Sequence, residues 1–311
     1  MVRIAYLGPE GTFTEAALTQ ITAAGLIPAH GEAQRVPIDS TPAALDAVRD
    51  GAADYACVPI ENSIDGSVTP TLDSLAMGAP VQVFAETTLD VAFSIVVRPG
   101  AGAADVRTLA AFPVAAAQVR RWLAAHLPDA ELRPAYSNAD AACQVANGHA
   151  DAAVTSPLAA ARWELPTLAE GVVDEPNART RFVLIGPPGP PPARTGADRT
   201  SVVFRVDNSP GALVAALAEF GIRGIDLTRI ESRPTRTSLG TYLFFADCVG
   251  HIDDAAVAEA LTALHRRCAD VRYLGSWPTG SASGAAPPPS DASARWLAGL
   301  REGRPDQSFG P

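Results

Sequence analysis

Short apolar runs alternate with alanine-rich helical stretches along the first 187 residues, and this alternation constrains the possible fold most strongly. The runs RIAYLG, ADYACVPI, DVAFSIVV and ADAAVTS are typical of buried strands. The stretches TEAALTQITAAG, TPAALDAVRDG, PVAAAQVRRWLAAHL and ADAACQVANG are typical of helices. Strands that alternate with helices predict a largely parallel α/β sheet. In open sheets of this kind, ligands bind beyond the carboxyl ends of the strands.

One helix–strand pattern recurs at a constant offset of 97 residues. Each copy has a serine suited to a helix N-cap, a glycine suited to the helix end, and an aspartate before a buried strand. The matched positions are Ser40 and Ser137, Val48 and Val145, Gly51 and Gly148, and Asp54 and Asp151. Chance similarity in an alanine-rich chain is the alternative. The shared pattern favours two similar lobes with a ligand cleft between them.

A proline-rich segment, GPPGPPPARTGADR, divides the chain and cannot form a helix or a central strand. After it, strands and helices follow in the order βαββαβ, which is the ferredoxin-like motif. From Thr279 the sequence is small, polar and proline-rich, and it predicts a mostly disordered tail with one or two helical turns around 294–300. The expected domains are 1–187, with one lobe at 1–76 and 178–187 and the other at 77–177, a linker at 188–199, a second domain at 200–278 and the tail at 279–311.

Charge and cysteine content narrow the range of partners. The net charge of −10 argues against nucleic acid or an anionic membrane as the main partner. The four cysteines lie far apart without a CxxC motif, which indicates neither a zinc site nor a redox pair. No cluster of histidine, cysteine and carboxylate residues suggests a metal, so we expect no cofactor. The N-terminus leads directly into a strand, and we expect a cytoplasmic protein.

Two motifs at strand ends carry candidate ligand-binding side chains. In GPEGTFTEAAL, Thr12 and the amides of a helix start suit an anion, although a tight turn capped by Thr12 or Thr14 explains the same residues. In VPIENS, Glu61 follows an apolar strand, where a carboxyl needs a partner or a proton. A turn supported by Asn62 and Ser63 is the structural alternative.

Four further residues are weaker candidates when taken alone. Thr180 and Arg181 precede an apolar strand, and an ordinary strand residue beside a salt-bridged arginine explains them equally well. Gln118 follows Pro113, a residue favoured in the first turn of a helix, and by itself fits a solvent-facing helix position. Ser156 ends the second copy of the repeated pattern with a polar side chain.

Together these motifs resemble the prephenate dehydratase family. GPEGTFTEAA, VPIENSIDGSV and NARTRF occur in the order of the family, and DNSPGALVAALAEFGI with LTRIESRP resembles an ACT domain. The resemblance covers residues 3–278. It implies a two-lobed catalytic domain like the periplasmic binding proteins, followed by a ferredoxin-like ACT domain. The implied activity is the conversion of prephenate to phenylpyruvate, water and carbon dioxide, with feedback control by L-phenylalanine.

The resemblance also implies roles for individual residues. Thr180 would donate to the leaving hydroxyl, with Glu61 as the rival acid. Asn62, Ser63 and Gln118 would orient the ring substituents, and Thr12, Arg181 and Ser156 would contact the substrate. The family's serine and histidine before the proline of its second-lobe motif are replaced here by Ala111 and Phe112. The residues implied to bind phenylalanine are Asn208, Gly211, Ala212, Leu213, Glu231 and Ser232, and a ligand held between ACT domains implies a homodimer or homotetramer.

Two other functions fit the same residues. An arogenate dehydratase would act on the amino-acid form of prephenate and differ by as little as one contact. A non-catalytic ligand sensor would keep the lobes and the ACT domain without turnover. Because Thr180 and the Glu61-Asn62-Ser63 triplet are both present, the enzyme is favoured over the sensor.

Overall fold

The structure, a computed structural model, describes residues 1–28, 31–175, 177–235, 240–280, 284–288 and 291–304. The chain divides into two compact units, Met1–Pro188 and Gly189–Pro311. In the described part of the chain, no helix has both the length and the apolar character that crossing a membrane requires.

The first unit is built from two α/β lobes, as its two separate sheets show. Its elements are β1 (Val2–Leu7), α1 (Phe13–Ala23), β2 (Ala33–Ile38), α2 (Thr41–Arg49), β3 (Tyr55–Asn62), β4 (Gly66–Ser67), α3 (Thr69–Ala76), β5 (Gln82–Asp90), β6 (Phe93–Val97), β7 (Thr108–Ala111), α4 (Pro113–Gln118), α5 (Arg120–His126), β8 (Glu131–Pro134), α6 (Asn138–Ala146), β9 (Ala152–Thr155), α7 (Pro157–Arg162), β10 (Thr167–Val172) and β11 (Arg179–Gly186).

The first-lobe sheet has the order β2-β1-β3-β11-β5, with β4 beside β3. Strands β1, β2 and β3 are parallel, whereas β11 runs antiparallel to both β3 and β5. The second-lobe sheet has the order β10-β6-β9-β7-β8, and its β6 is antiparallel to both neighbours. The predicted two-lobed α/β class is confirmed. The sheets are mixed rather than largely parallel, because β6 and β11 enter each lobe from the other one.

The predicted lobe boundary at residue 77 is wrong. Strand β5 lies inside the range assigned to the second lobe, but it pairs with β11 from Asp90 to Gln82 and belongs to the first-lobe sheet. The chain therefore passes to the second lobe only after Asp90. The long helix predicted from Pro113 is also interrupted, because Val119 leaves the helical conformation between α4 and α5.

The repeated pattern corresponds to the same local structure in both lobes. Ser40 and Ser137 cap α2 and α6 by accepting from a backbone N–H three residues later. Gly51 and Gly148 adopt positive φ angles of 70° and 72° after the helices, a conformation that glycine adopts without strain. The helix–glycine–strand unit predicted for each copy is confirmed.

The second unit has the predicted ferredoxin-like order. Its elements are β12 (Asp198–Arg205), α8 (Ala212–Gly221), β13 (Leu227–Pro234), β14 (Tyr242–Val249), α9 (Ala255–Arg267), β15 (Asp270–Pro278) and α10 (Asp291–Arg301). The antiparallel sheet has the order β13-β14-β12-β15, and both α8 and α9 contribute to its core. Strand β12 begins at Asp198, two residues before the expected start of the second domain at residue 200.

The described part of the tail is more ordered than predicted. Helix α10 spans Asp291–Arg301, which exceeds the one or two turns expected. Before it, Pro287 and Pro288 lie against Gly250 and Gly224, and the Ala285 N–H donates to Asp226 Oδ2 at 3.2 Å. Apolar contacts by proline rings explain why this proline-rich stretch packs without regular structure.

Candidate active site

A cavity of about 700 Å³ lies between the two lobes of the first unit. Its lining consists largely of residues at strand ends and helix starts. The first lobe contributes Leu7, Gly8, Pro9, Thr12, Phe13, Thr14, Asp39, Pro59, Asn62, Thr180 and Phe182. The second lobe contributes Val91, Phe93, Phe112, Val114, Ala115, Gln118, Tyr136, Ser137, Asn138 and Asp140.

Asn62 and Thr180 form the polar centre of the first-lobe wall. Asn62 Oδ1 accepts from the backbone N–H groups of Ile64 at 2.8 Å and Asp65 at 3.0 Å. Because amide oxygens accept and amide nitrogens donate, these two bonds fix the orientation of the amide. Asn62 Nδ2 then donates to Thr180 Oγ1 at 2.9 Å. Thr180 is 8% exposed, and the accepted bond leaves its O–H proton available to donate.

Glu61 and Arg181 lie next to this pair in sequence but are absent from the cavity lining. Successive side chains of a strand point to opposite faces of the sheet, so Glu61 and Arg181 project away from the side that Asn62 and Thr180 occupy. Arg181 Nη2 lies 2.9 Å from Glu61 Oε2, and Arg181 Nη1 lies 3.2 Å from Glu86 Oε2. The expectation that Glu61 and Arg181 reach the substrate is therefore corrected.

Ser63 joins the end of β3 to the start of β11. Its Oγ accepts from the Arg179 N–H at 2.8 Å and donates to the Asn177 carbonyl at 3.3 Å. Asn177 has a φ of 77°, a left-handed conformation that asparagine tolerates better than most residues. Ser63 is not among the cavity-lining residues. Its contacts hold the segment that leads directly into Thr180.

Gln118 is the predicted residue that the second lobe brings to the cavity. It is 8% exposed, which rules out the solvent-facing helix position that Gln118 fits when taken alone. Its Nε2 donates across the lobes to Asp65 Oδ2 at 3.1 Å. Its Oε1 is buried and has no hydrogen-bond partner among the described residues.

Thr12 lines the cavity and also caps α1. Its Oγ1 donates to the Leu7 carbonyl at 3.1 Å and accepts from the Glu15 N–H at 3.4 Å. The structural alternative of a capping threonine is therefore confirmed, and Thr12 places the start of α1 at the cavity.

Ser156 serves the contact between the lobes rather than the cavity. It caps α7, and its Oγ donates to the Gly11 carbonyl at 2.6 Å. Gly11 has a φ of 88°, and a Cβ placed on it would lie 3.2 Å from the Ala159 Cβ. Glycine at this position permits both the turn and the close approach of the two lobes.

The cavity is suited to an anionic, partly apolar ligand through its helix starts and its aromatic side chains. The starts of α1 and α6 contribute Phe13, Thr14 and Asn138 to the lining, and first-turn N–H groups suit carboxylates. Four phenylalanines also line it, namely Phe13, Phe93, Phe112 and Phe182. The rings of Phe13 in the first lobe and Phe93 in the second pack edge to face, with their centroids 5.9 Å apart.

Cys57 lies behind the first-lobe wall and is fully buried. Burial raises its pKa to about 12, which keeps the thiol protonated at neutral pH. Within the described residues, no group of three histidine, cysteine or carboxylate side chains is arranged to hold a metal ion.

The residues expected to bind phenylalanine lie in the second unit. Gly211 caps α8 with a φ of 82°, and Ala212 and Leu213 follow it in the first turn. Glu231 and Ser232 lie in β13, which forms one edge of the sheet. Asn208 precedes Gly211 and lies close to Gly240. A Cβ placed on Gly240 would be 3.6 Å from Asn208 Nδ2.

Sequence reasoning missed Asp65, the four phenylalanine side chains that line the cavity, and the start of α6. The serine N-cap of α6 was recognised, but its position at the cavity depends on the fold of the second lobe. The signal for Asp65 was its place three residues after Asn62, where asparagine turns commonly bond backbone amides. Its contact with Gln118 spans 53 residues and requires the two lobes to face each other.

Comparison with protein families matches residues 4–189 to the prephenate dehydratase model and residues 200–266 to the ACT domain model. A prephenate dehydratase of Mycobacterium tuberculosis (strain ATCC 25618 / H37Rv) is 80% identical over 311 residues, which are 99% of this chain and 97% of the relative. The crystal structure of a prephenate dehydratase from Arthrobacter aurescens, in complex with L-Phe, is 40% identical with a TM-score of 0.86, covering 97% of this chain and 100% of that one. A structure described as GqqA, a novel type of quorum quenching acylase, is 30% identical with a TM-score of 0.78, covering 89% and 98%.

Proposed function

Because the chain belongs to the prephenate dehydratase family, we propose that its interlobe cavity converts prephenate to phenylpyruvate, and that L-phenylalanine bound to its ACT domain inhibits the reaction. The chain is a hydro-lyase, as its match to curated relatives across 99% of its length shows.

The observation that carries the proposal is the hydrogen bond from Asn62 to Thr180. In the reaction, the ring carboxylate leaves as CO2 and its bonding electrons enter the ring, while the bond from the ring carbon to the hydroxyl breaks. The departing hydroxide takes up one proton and leaves as water. Thr180 Oγ1 accepts from Asn62 at 2.9 Å and so directs its own O–H elsewhere. The leaving hydroxyl is the group that this donor would stabilise.

Thr180 is too weak an acid to lose its proton outright. It acts as a hydrogen-bond donor to the developing charge or as a relay for a solvent proton, both of which lower the barrier. General acid assistance is typically worth about 10²–10⁴-fold. Glu61 is not needed as the acid, since its carboxylate pairs with Arg181 and does not line the cavity.

The two substrate carboxylates would bind at helix starts. The cavity lining contains no lysine, arginine or histidine among the described residues. The first turns of α1, capped by Thr12, and α6, capped by Ser137, reach the lining from opposite lobes. Backbone N–H groups and the positive end of each helix dipole are suited to one carboxylate each. The four phenylalanine side chains that line the cavity would contact the ring of the substrate.

Feedback control would be exerted by the second unit. The relative from Arthrobacter aurescens was solved in complex with L-Phe. In this chain Gly211, Ala212 and Leu213 form the start of α8, which no side chain caps, and backbone N–H groups at a helix start suit an amino-acid carboxylate. Asn208, Glu231 and Ser232 would complete the site between two copies of the ACT domain. The expected assembly is a homodimer or homotetramer in the cytoplasm.

The test is a turnover assay of the purified full-length chain with prephenate, following phenylpyruvate absorbance in alkali with and without L-phenylalanine. We expect rapid conversion that L-phenylalanine suppresses. Thr180→Val should lower kcat by about 10²–10⁴-fold, whereas Thr180→Ser keeps the hydroxyl and should stay within about 10-fold of the unchanged chain. Full turnover by the valine variant would refute the role of Thr180.

Two arms of the same assay address the other functions. Arogenate is offered in parallel. A higher kcat/KM with arogenate than with prephenate would identify arogenate as the substrate. Tight binding of prephenate without conversion of either compound would show a ligand sensor, and Ala111 and Phe112 would be the first positions to restore to serine and histidine.

A further inference from the structure

Asp65 and Gln118 form a hydrogen bond across the cleft. Gln118 Nε2 lies 3.1 Å from Asp65 Oδ2. Asp65 sits in the turn after β3, and its own backbone N–H donates to Asn62 Oδ1 at 3.0 Å. A continuous chain of hydrogen bonds therefore runs from Thr180 through Asn62 and Asp65 to Gln118 in the other lobe.

Asp65 fixes the orientation of the amide of Gln118, a residue that lines the cavity. A carboxylate only accepts hydrogen bonds, so the Gln118 atom that faces Asp65 is the NH2 nitrogen. The oxygen at the other end of the amide is buried and lacks a partner among the described residues. Leaving a buried acceptor unsatisfied is unfavourable, so this oxygen favours a ligand that supplies a donor.

Prephenate has a single donor at neutral pH, the hydroxyl on the ring. Its two carboxylates and its ketone only accept. The buried Gln118 oxygen is therefore matched to that hydroxyl, while Thr180 supplies a proton donor from the other lobe. A hydroxyl that donates to Gln118 points a lone pair elsewhere, and Thr180 can approach that lone pair.

We propose that Asp65 is a positioning residue that holds the Gln118 amide so that its Oε1 accepts from the leaving hydroxyl and turns the lone pair of this hydroxyl toward Thr180. The inference rests on the proposed function, because it needs a substrate with that hydroxyl. It assigns Asp65 to catalysis through Gln118, without a contact between Asp65 and the substrate.

The experiment compares kcat and KM for prephenate in three variants at Asp65. Asp65→Ala removes the acceptor and frees the amide to rotate, and we expect kcat to fall about 100-fold, as misplacement of a reacting group commonly does. Asp65→Asn can still offer a carbonyl oxygen to Gln118 Nε2, and kcat should stay within about 5-fold of the unchanged chain. Asp65→Lys only donates, attracts Oε1 and turns the NH2 group into the cavity, so its kcat should be no higher than that of the alanine variant.

Two readouts separate positioning from a merely structural role. KM should change less than about 3-fold in Asp65→Ala, because a contact that only holds the lobes together would weaken substrate binding instead. In a Gln118→Ala background, Asp65→Ala should cause no further loss of kcat, since the two residues act as one unit. Asp50→Ala, an exposed aspartate at the end of α2, is the matched control.

Each outcome decides the inference. A kcat for Asp65→Ala within about 3-fold of the unchanged chain would overturn it, as would an asparagine variant as slow as the alanine variant. An equal loss in the Gln118→Ala background would also overturn it. If the unchanged chain does not convert prephenate, the proposed function itself fails, and that result is seen before any variant is compared.

Discussion

At the scale of single residues, the direction of each hydrogen bond carries more information than the identity of the residues. Asn62 can donate to Thr180 because its oxygen accepts from two backbone N–H groups, which turns its nitrogen toward Thr180. The same side chain rotated by half a turn would accept from Thr180 and withdraw the threonine proton from the cavity. The bonds that surround Asn62 therefore decide whether Thr180 is a donor to substrate.

This arrangement predicts a severe effect for Asn62→Asp, a substitution that changes one atom. The carboxylate keeps the acceptor for the Ile64 and Asp65 amides, so the turn should persist. It has no donor, however, and Thr180 would turn its O–H toward it. We expect kcat with prephenate to fall by about 10²-fold or more, with the thermal midpoint little changed, as measured by turnover assay and thermal unfolding.

Asn62→Ala serves as the comparison, since it removes the donor without adding a competing acceptor. It should be less harmful to kcat than Asn62→Asp, although it also frees the turn. If Asn62→Asp retains the kcat of the unchanged chain, Thr180 does not depend on Asn62 for its direction.

Part of this site was available from the sequence. Glu61 and Asn62 are neighbours in one strand, and side-chain alternation alone states that they cannot both face the cavity. What alternation does not give is which of them faces it, because this depends on the register between β3 and β11. Resemblance to a family supplied both residues together, and the structure separates Asn62 from the Glu61–Arg181 ion pair.

At the scale of elements, the repeated pattern gives two aspartates equivalent places with unequal surroundings. Asp54 Oδ2 accepts from the Arg3 N–H at 2.7 Å, and its side chain is 46% exposed. Asp151 Oδ2 accepts from the N–H and Oγ1 of Thr108, both at 2.9 Å, and from the Arg107 N–H at 3.1 Å. Asp151 therefore ties β7 to the turn before β9 more firmly than Asp54 ties β1 to β3.

These surroundings predict how stability depends on pH. Burial acts to raise the pKa of Asp151, but the Thr108 and Arg107 hydrogen bonds and the charge of Arg98 outweigh it and hold the pKa below its ordinary value of 3.8. A carboxyl with a lowered folded-state pKa stabilises the fold above its unfolded pKa and loses that contribution as pH falls through the folded value. Asp151→Asn should thus destabilise the first unit at pH 7 by roughly 1–2 kcal/mol, and the difference should shrink below about pH 4.

The measurement is thermal unfolding of the unchanged chain and the variant between pH 7 and pH 3. Asp54→Asn is the matched control, and it should cost less at pH 7 because it replaces a more exposed carboxylate with fewer bonds. An Asp151→Asn penalty that stays constant down to pH 3 would contradict the linkage to the carboxylate.

Element order was readable from the sequence where strand and helix alternate, and less so where a strand crosses between lobes. The alternation predicts β1, β3, β6 and β9 and the helices α1, α2 and α6. Strand β5, QVFAETTLD, falls in the range expected for the second lobe, but its partner β11 lies far along the chain, with Arg179 opposite Asp90 at a separation of 89 residues. Local pattern predicts that a strand exists, but pairing partners far apart in sequence decide which sheet it joins.

At the scale of the whole molecule, an acidic protein must bind a doubly charged anion. The net charge is −10, and the cavity lining includes the carboxylates of Asp39 and Asp140. Local helix starts provide the attraction, but they act over about one turn, whereas the repulsion acts over a Debye length of about 30 Å at 10 mM salt. Prephenate should therefore be repelled on approach at low ionic strength and bind better as salt is added.

Asp39 allows this repulsion to be measured. It is exposed, lines the cavity and precedes α2. A dianion about 10 Å from one carboxylate in water is repelled by about 0.8 kcal/mol, which corresponds to about a 4-fold change in binding. Asp39→Asn should thus lower KM for prephenate by up to about 4-fold at 10 mM salt, and the advantage should nearly vanish at about 1 M salt, where the Debye length is about 3 Å.

Asp50→Asn is the control, since Asp50 lies at the far end of α2, about 13 Å from the start of the helix. It should leave KM and its salt dependence nearly unchanged. If Asp39→Asn also leaves the KM at 10 mM salt unchanged, the charge at the cavity does not oppose binding, and the substrate carboxylates must meet a more strongly positive field than the helix starts supply.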